Sequence, residues 1–252
     1  MGTLSARIVG VDGLLQAERA RMFALMDRYY DSVDPARFHA DLANKDSVIL
    51  LEDAGLIQGF STLRTLTFEA GGRTHRGIFS GDTVVDRPYW GQRVLGRAFL
   101  MHLLREKARR PLSPLWWLLI TKGYKTYLLM ANNFGEHWPR YERATPPLQQ
   151  SLVDGFASQM FGDDYRGERG LIVHEESLGQ LKAGIADPLP DAVDRLPRVA
   201  FFLERNPGWA EGHELACIAR MTWGMPLKYV LKAWWKLSRP LRRRPRIARE
   251  RV

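Results

Sequence analysis

The spacing of apolar residues predicts alternating strands and helices in the first half of the chain. Residues 7–11 alternate weakly between apolar and polar side chains, as in a short strand. The apolar residues that follow recur every three or four positions as far as Tyr29, as on one face of a helix. Asp34 and Pro35 suit the N-cap and first turn of a second helix, which is expected to end near Asn44.

The clearest hairpin signal comes next. Two β-rich runs, residues 47–52 and 56–68, flank Asp53-Ala54-Gly55, and such a short glycine-containing connection is typical of paired antiparallel strands. Gly71-Gly72 then turns the chain into residues 76–85, which read as a third strand. The sequence therefore predicts a three-stranded meander.

Three more elements are predicted after the meander and five in the C-terminal part. Apolar residues share one face of a stretch that runs from Val94 to about Arg109, which predicts a helix. Pro111 and Pro114 then break the chain, residues 115–121 predict a short apolar strand, and residues 122–134 predict a helix. Later predictions are helices at residues 147–161 and 226–238 and strands at residues 171–174, 199–203 and 214–219.

The segment that carries chemistry is a turn between the third meander strand and the helix that follows. The first turn of a helix has unpaired N–H groups and the positive end of the macrodipole, so it can hold a pyrophosphate where small residues let the ligand approach. Gly91 and Gly96 are the small residues, and Arg93 and Arg97 add positive charge. Two glycines in such a turn are a weak signal alone, since an ordinary strand-to-helix turn also contains them.

Residues 93–98, Arg-Val-Leu-Gly-Arg-Ala, resemble the coenzyme-A-binding motif of the GNAT superfamily of acyl-CoA N-acyltransferases: Arg or Gln, two residues, Gly, one residue, then Gly or Ala. The resemblance extends over roughly residues 5–142 and implies a mixed α/β fold with a splayed, mostly antiparallel sheet. Alternative registers start at Trp90 or Gln92. The residues that the resemblance assigns to the coenzyme are Val84, Val85, Gly91, Gln92, Arg93, Val94, Leu95, Gly96, Arg97 and Ala98.

The resemblance implies direct transfer of an acyl group to an amine, with acetyl-CoA, a longer acyl-CoA or another acyl thioester as donor and no metal. Such transfer needs a base for the amine and an acid for the departing thiolate. Asp82 is the candidate base, with a surface carboxylate as the alternative. Tyr141 is a candidate acid because Asn133 and Tyr141-Glu142 resemble a family pattern, and Tyr127 and Tyr124 compete with it.

The sequence offers little support for enzymes of other mechanistic classes. The six histidines are scattered without metal-site spacing, and neither a GxxxxGK loop nor a GxSxG elbow is present. Cys217, the single cysteine, lies in a predicted buried strand, excludes an internal disulfide framework and fits a cytoplasmic location. No run is apolar enough over sufficient length to predict a signal peptide or a membrane span.

The excess of positive charge lies at the C-terminal end. Of 37 Lys and Arg residues, ten lie in residues 226–252 beside the single acid Glu250, so the remainder carries 27 basic and 27 acidic residues. Trp234 lies on the apolar face of the predicted final helix, and lysines line a neighbouring stripe. This pattern favours contact with an anionic membrane surface, on the inner face of the membrane. A packed helix with a solvated tail is the alternative, and nucleic acid is a less favoured partner.

Three segments follow from these predictions. Residues 1–145 form the acyl-CoA-binding core, residues 146–225 complete the sheet and pocket of the same domain, and residues 226–252 form a basic amphipathic helix and tail. The expected acceptor is a small-molecule or lipid-like amine. The rival interpretation is a non-catalytic binding or membrane-scaffold protein that keeps the fold.

Overall fold

The computed structural model describes residues 2–31, 33–173 and 196–224. Residues up to Met221 belong to one compact unit, and residues 222–252 form a second, of which only the first three residues are described. The predicted helix at residues 226–238 and the basic tail therefore lie outside the described residues.

Six α-helices and nine strands are present in the described ranges. The helices are α1 (Gln16–Tyr29), α2 (Pro35–Ala43), α3 (Val94–Arg109), α4 (Tyr124–Asn133), α5 (Pro147–Phe161) and α6 (Pro197–Arg205). The strands are β1 (Ser5–Gly10), β2 (Ser47–Asp53), β3 (Leu56–Ala70), β4 (Arg73–Val85), β5 (Leu115–Thr121), β6 (His137–Trp138), β7 (Tyr165–Arg166), β8 (Leu171–Ile172) and β9 (Glu214–Met221). The predicted order of strands and helices from β1 to α4 is confirmed.

The strands form one mixed sheet with the order β1-β2-β3-β4-β5-β9-β8-β7, and β6 pairs with β9. Every pair is antiparallel except β4 with β5, which is parallel. The β4–β5 register runs from Arg76 opposite Leu115 to Ser80 opposite Leu119 and stops there, although β4 continues to Val85. The predicted fold class, a mixed α/β fold with a splayed and mostly antiparallel sheet, is confirmed.

Two hydrophobic clusters hold α1, α2 and α5 on the sheet. In one, side chains of α1 and α2 such as Leu25 and Leu42 pack with Leu50 and Phe60 of the meander. In the other, Phe156 of α5 and its neighbours pack on residues of β3, β4, β5 and β9. Both sets are excluded from water, so the segment after residue 145 shares a core with the strands that precede it.

Local chemistry explains several element boundaries. The Asp34 carboxylate accepts a hydrogen bond from the Arg37 amide at 2.7 Å, and Pro35 occupies the first turn, so α2 begins as predicted. The β2–β3 turn places Gly55 at φ 79°, in the left-handed region that glycine adopts without a steric penalty.

One predicted strand is wrong. Residues 199–203 belong to α6, whose first turn contains Pro197 and whose residues Val199 and Phe202 are buried at helical spacing. A run of consecutive apolar residues fits a buried strand as well as a helix, so periodicity could not decide between them. The chain therefore reaches β9 from a helix instead of from the predicted strand.

Candidate functional site

A cavity of about 780 Å³ opens where β4 and β5 separate. Residues from β4 and β5 form its sides, and the N-terminal end of α4 and parts of α1, α2 and α5 complete it. The ladder between the two central strands ends at Ser80 and Leu119. Beyond that point the facing edges of β4 and β5 border the cavity, while β4 stays paired with β3 and β5 with β9.

Asp82 lies in this cavity within a small polar cluster. Its carboxylate accepts a hydrogen bond from the Thr62 hydroxyl at 3.2 Å and lies 3.8 Å from the Lys45 ammonium group. Lys45 is almost fully buried and donates a hydrogen bond of 2.6 Å to the Asp41 carboxylate. The cluster therefore holds two carboxylates and one ammonium group, brought together from α2, the loop after α2 and β4.

The pKa values of the two carboxylates are shifted in opposite directions. Burial, assisted by the negative charge of Asp41, raises the pKa of Asp82 to about 7 in spite of the Lys45 charge. Burial also acts to raise the pKa of Asp41, but hydrogen bonding to Asp82 and the charge of Lys45 outweigh it and hold that pKa below its ordinary value. Near neutral pH Asp82 is therefore about half protonated, while Asp41 is ionised.

The three tyrosines considered from the sequence occupy different environments. Tyr127 is fully buried, its hydroxyl donates to the Pro139 carbonyl at 3.1 Å, and burial raises its pKa well above the usual range. Tyr141 is 45% exposed and is not among the residues that line the cavity. Tyr124, the first residue of α4, does line it. Of these three, only Tyr124 is brought to the cavity that contains Asp82.

A fourth tyrosine gave no signal in the sequence. Tyr30, at the C-terminal end of α1, lines the cavity, and burial together with the nearby negative charge of Asp82 raises its pKa to about 12. The sequence also gave no prediction for Asp41 and Lys45, although a separation of four residues at the end of a predicted helix is a signal that they pair with each other.

The predicted coenzyme turn leads into an open helix N-terminus. The first hydrogen bond of α3 runs from the Arg97 amide to the Arg93 carbonyl at 3.0 Å, so the amides of Val94, Leu95 and Gly96 precede the intrahelical ladder. Gly96 is exposed, and a Cβ added to it would meet no atom within 4 Å. Arg93 and Arg97 are exposed beside it, so the turn can accept an anion.

Gly91 shapes the preceding loop, since its φ of 84° favours glycine and its Cβ position is likewise open. Val84 is buried in a core cluster, whereas the Val85 carbonyl accepts a hydrogen bond of 2.6 Å from the Trp90 indole. Leu95 and Ala98 are half-buried. The residues assigned to the coenzyme by resemblance therefore divide into the end of β4, a supporting loop and an open helix start.

Two sets of contacts fix that loop. Asp86 accepts hydrogen bonds from the Tyr29 hydroxyl at 2.5 Å and from Arg28 at 3.0 Å, while the Arg87 amide donates to the same tyrosine oxygen. The Gln92 side chain accepts from the Leu4 amide at 3.2 Å and donates to the Gly2 carbonyl at 3.1 Å. The Gln92 amide group is therefore engaged with the residues that precede β1.

Among the residues that the structure describes, no three His, Cys, Asp or Glu side chains are grouped so that they could hold a metal ion. No helix within residues 2–31, 33–173 and 196–224 has the length and apolar character needed to cross a membrane.

No family model and no curated protein matches the chain. Among solved structures, a probable N-acyltransferase from Enterococcus faecalis V583 is 15% identical over 56% of this chain and 37% of its own, with a TM-score of 0.40. A GCN5-related N-acetyltransferase from Kribbella flavida is 15% identical over 54% of this chain and 34% of its own, with a TM-score of 0.39. A GNAT family N-acetyltransferase from Escherichia coli in complex with CoA is 16% identical over 54% of this chain and 70% of its own, with a TM-score of 0.37.

The matched part of the chain spans about a third of the length of the first two of these proteins. Each of the three matches covers slightly more than half of this chain.

Proposed function

We propose that the chain is an N-acyltransferase that moves an acyl group from acyl-CoA, or from another acyl thioester, directly to an amine. The observation that carries this proposal is the Asp82 carboxylate, whose pKa is raised to about 7, in a cavity between separated central strands. A group with that pKa is half ionised near neutral pH, which suits a general base.

The open start of α3 supports the donor half of the proposal. The amides of Val94, Leu95 and Gly96 offer hydrogen bonds to a pyrophosphate, and the macrodipole with the exposed Arg93 and Arg97 favours its charge. A side chain at Gly96 would fill the space through which the phosphates approach. The residues present therefore fit a coenzyme A pyrophosphate.

In the proposed reaction, Asp82 and Tyr124, which both line the cavity, carry out the two proton transfers. The amine nitrogen attacks the thioester carbonyl carbon, a C–N bond forms and the C–S bond breaks. Asp82 takes the proton that the nitrogen loses, directly or through water, and Tyr124 gives a proton to the departing thiolate sulfur. The products are an amide and a free thiol, and each catalytic residue then regains its starting state by exchange with solvent.

Calorimetric titration with CoA tests the donor site. We expect CoA to bind to the wild-type chain and not to Gly96→Glu, because the new carboxylate fills the phosphate site and repels the negatively charged phosphates. Ala108→Glu is the matched control: it adds the same charge to the same helix, at an exposed position near its other end. Equal CoA affinity in Gly96→Glu and the wild type would refute the proposed site.

Transfer itself is measured as thiol released from acyl-CoA in the presence of a panel of primary amines. Asp82→Asn removes the base but keeps the size and polarity of the side chain. We expect it to lower the rate about 100-fold or more with CoA affinity unchanged. An undiminished rate in this variant would exclude Asp82 as the base.

A further inference from the structure

One wall of the cavity is apolar and is built in part by α5. Phe79 of β4, Ile120 of β5, and Met160 and Phe161 at the end of α5 line it. The rings of Phe79 and Phe161 meet edge to face with their centroids 5.6 Å apart, which fixes the wall. Phe79 is buried, but the other three side chains are only partly buried, so they present apolar surface to the cavity.

This wall lies at the closed end of the cleft. Ser80 and Leu119 are the last paired residues of β4 and β5, and Phe79 and Ile120 directly adjoin that pair. The coenzyme turn is at the opposite, open end of β4, beyond Val85. A thioester chain that enters from the turn and reaches Asp82 therefore points its acyl end toward the apolar wall.

The cavity also contains polar residues on several sides, and one group of them lies beside α2. Asp34, Arg37 and Asp41 of the α2 region line it together with Asp82. An amine must be close to Asp82 to lose its proton, so this polar side suits the acceptor. The apolar wall then suits the acyl chain attached to the thioester carbonyl carbon, since burial of apolar surface is favourable only for an apolar partner.

We infer that the wall formed by Phe79, Ile120, Met160 and Phe161 holds the acyl chain, and that the donor carries an acyl group longer than acetyl. This inference rests on the proposed function, because it assigns the acyl half of the same site. An acetyl group places one methyl beyond the carbonyl carbon and leaves most of the wall in contact with water. A longer chain covers it.

Calorimetric titration of the full chain with CoA, acetyl-CoA and octanoyl-CoA tests the inference without knowledge of the acceptor. Each buried methylene strengthens binding about fourfold, so burial of only two of the six additional methylenes favours octanoyl-CoA more than tenfold. We expect Met160→Trp, which fills the space, to abolish this preference while CoA affinity is retained. Ile120→Phe narrows the same wall from β5 and serves as a second variant.

Ser158→Trp is the matched control, because Ser158 is exposed on α5 and lies outside the residues that line the cavity. It should keep the preference for octanoyl-CoA. Retained CoA affinity shows that a variant is folded. If the wild type binds acetyl-CoA and octanoyl-CoA equally, the acyl wall is refuted and the transferase proposal stands. If it binds none of the three, both are refuted.

Discussion

The Lys45 ammonium group is 3.8 Å from the Asp82 carboxylate, although its short hydrogen bond goes to Asp41. Asp82 therefore receives only part of the compensation that a partly buried carboxylate needs, and its hydrogen bonds go to the neutral Thr62 hydroxyl and to Asp41. Burial and the charge of Asp41 then outweigh Lys45, which is why the pKa of Asp82 is raised to about 7. Because Lys45 lies closer to Asp41 than to Asp82, the pKa of the candidate base Asp82 lies near 7.

Substitutions of the two neighbours should shift this pKa in opposite directions. Asp41→Asn removes a negative charge, so we expect the pKa of Asp82 to fall toward its ordinary value of 3.8. Lys45→Met removes the positive charge, so we expect the pKa to rise further. Carboxyl-carbon NMR titration of each variant measures the shift. A pKa that moves in the same direction in both variants would contradict this account.

Stability should depend on pH through the same carboxylate. The folded chain keeps the Asp82 proton up to about pH 7, whereas the unfolded chain releases it near pH 3.8. The stability contributed by the neutral carboxyl group is therefore complete below pH 3.8 and is lost as the pH rises through about 7. Asp82→Asn stays neutral, so its free energy of unfolding should exceed that of the wild type by about 1–3 kcal/mol at pH 8.

Urea denaturation at pH 4 and pH 8 provides the measurement, because the two proteins should have similar free energies of unfolding at the lower pH. A variant that is less stable than the wild type at pH 8 would show that the ionised carboxylate is stabilised in the fold. The candidate base would then lose its physical basis.

Most of the fold up to α4 could be predicted because its signals are local. Asp34 and Pro35 mark a helix start, Gly55 marks a hairpin turn, and both act on neighbouring residues alone. The run at residues 199–203 carries no such marker within it, and its helical form depends on burial of Val199 and Phe202 in the folded chain. Tertiary packing decided this element.

The candidate site was predictable only in part for a related reason. The coenzyme turn is one continuous segment, so its glycines and arginines appear together in the sequence. Asp41 and Lys45 meet Asp82 only after α2 has packed beside β4, about forty residues further along the chain. Tyr127 has the helical spacing of a site residue and of a core residue alike, and its buried hydroxyl bonds to Pro139.

The two glycines of the coenzyme turn should respond oppositely to alanine. Gly91 has a φ of 84°, so Gly91→Ala forces a side chain into a strained conformation and should destabilise the fold by about 1 kcal/mol. Gly96 lies in the first turn of α3 with open space at its Cβ position, so Gly96→Ala should stabilise the fold by about 0.5–1 kcal/mol. Urea denaturation measures the free energy of unfolding of each variant. A change of the same sign in both variants would contradict the backbone geometry described for Gly91 and Gly96.

The last prediction concerns two tyrosines on one helix that face different surroundings. Tyr127→Phe removes the hydroxyl that donates to the Pro139 carbonyl, which leaves a buried acceptor without that bond. We expect a loss of about 1–2 kcal/mol in the free energy of unfolding and no change in the turnover of folded protein. Tyr124→Phe removes a hydroxyl from the cavity wall, so stability should change little.

For Tyr124→Phe we expect kcat for thiol release to fall about tenfold or more, with CoA affinity unchanged, because the thiolate leaves without its proton donor. A thiophenyl ester donor sharpens the test. Its leaving thiol is far more acidic and needs no proton, so the defect should shrink with this donor if Tyr124 acts as the acid. A defect of equal size with both donors would assign Tyr124 to positioning, and Tyr30, which lines the same cavity, would become the candidate acid.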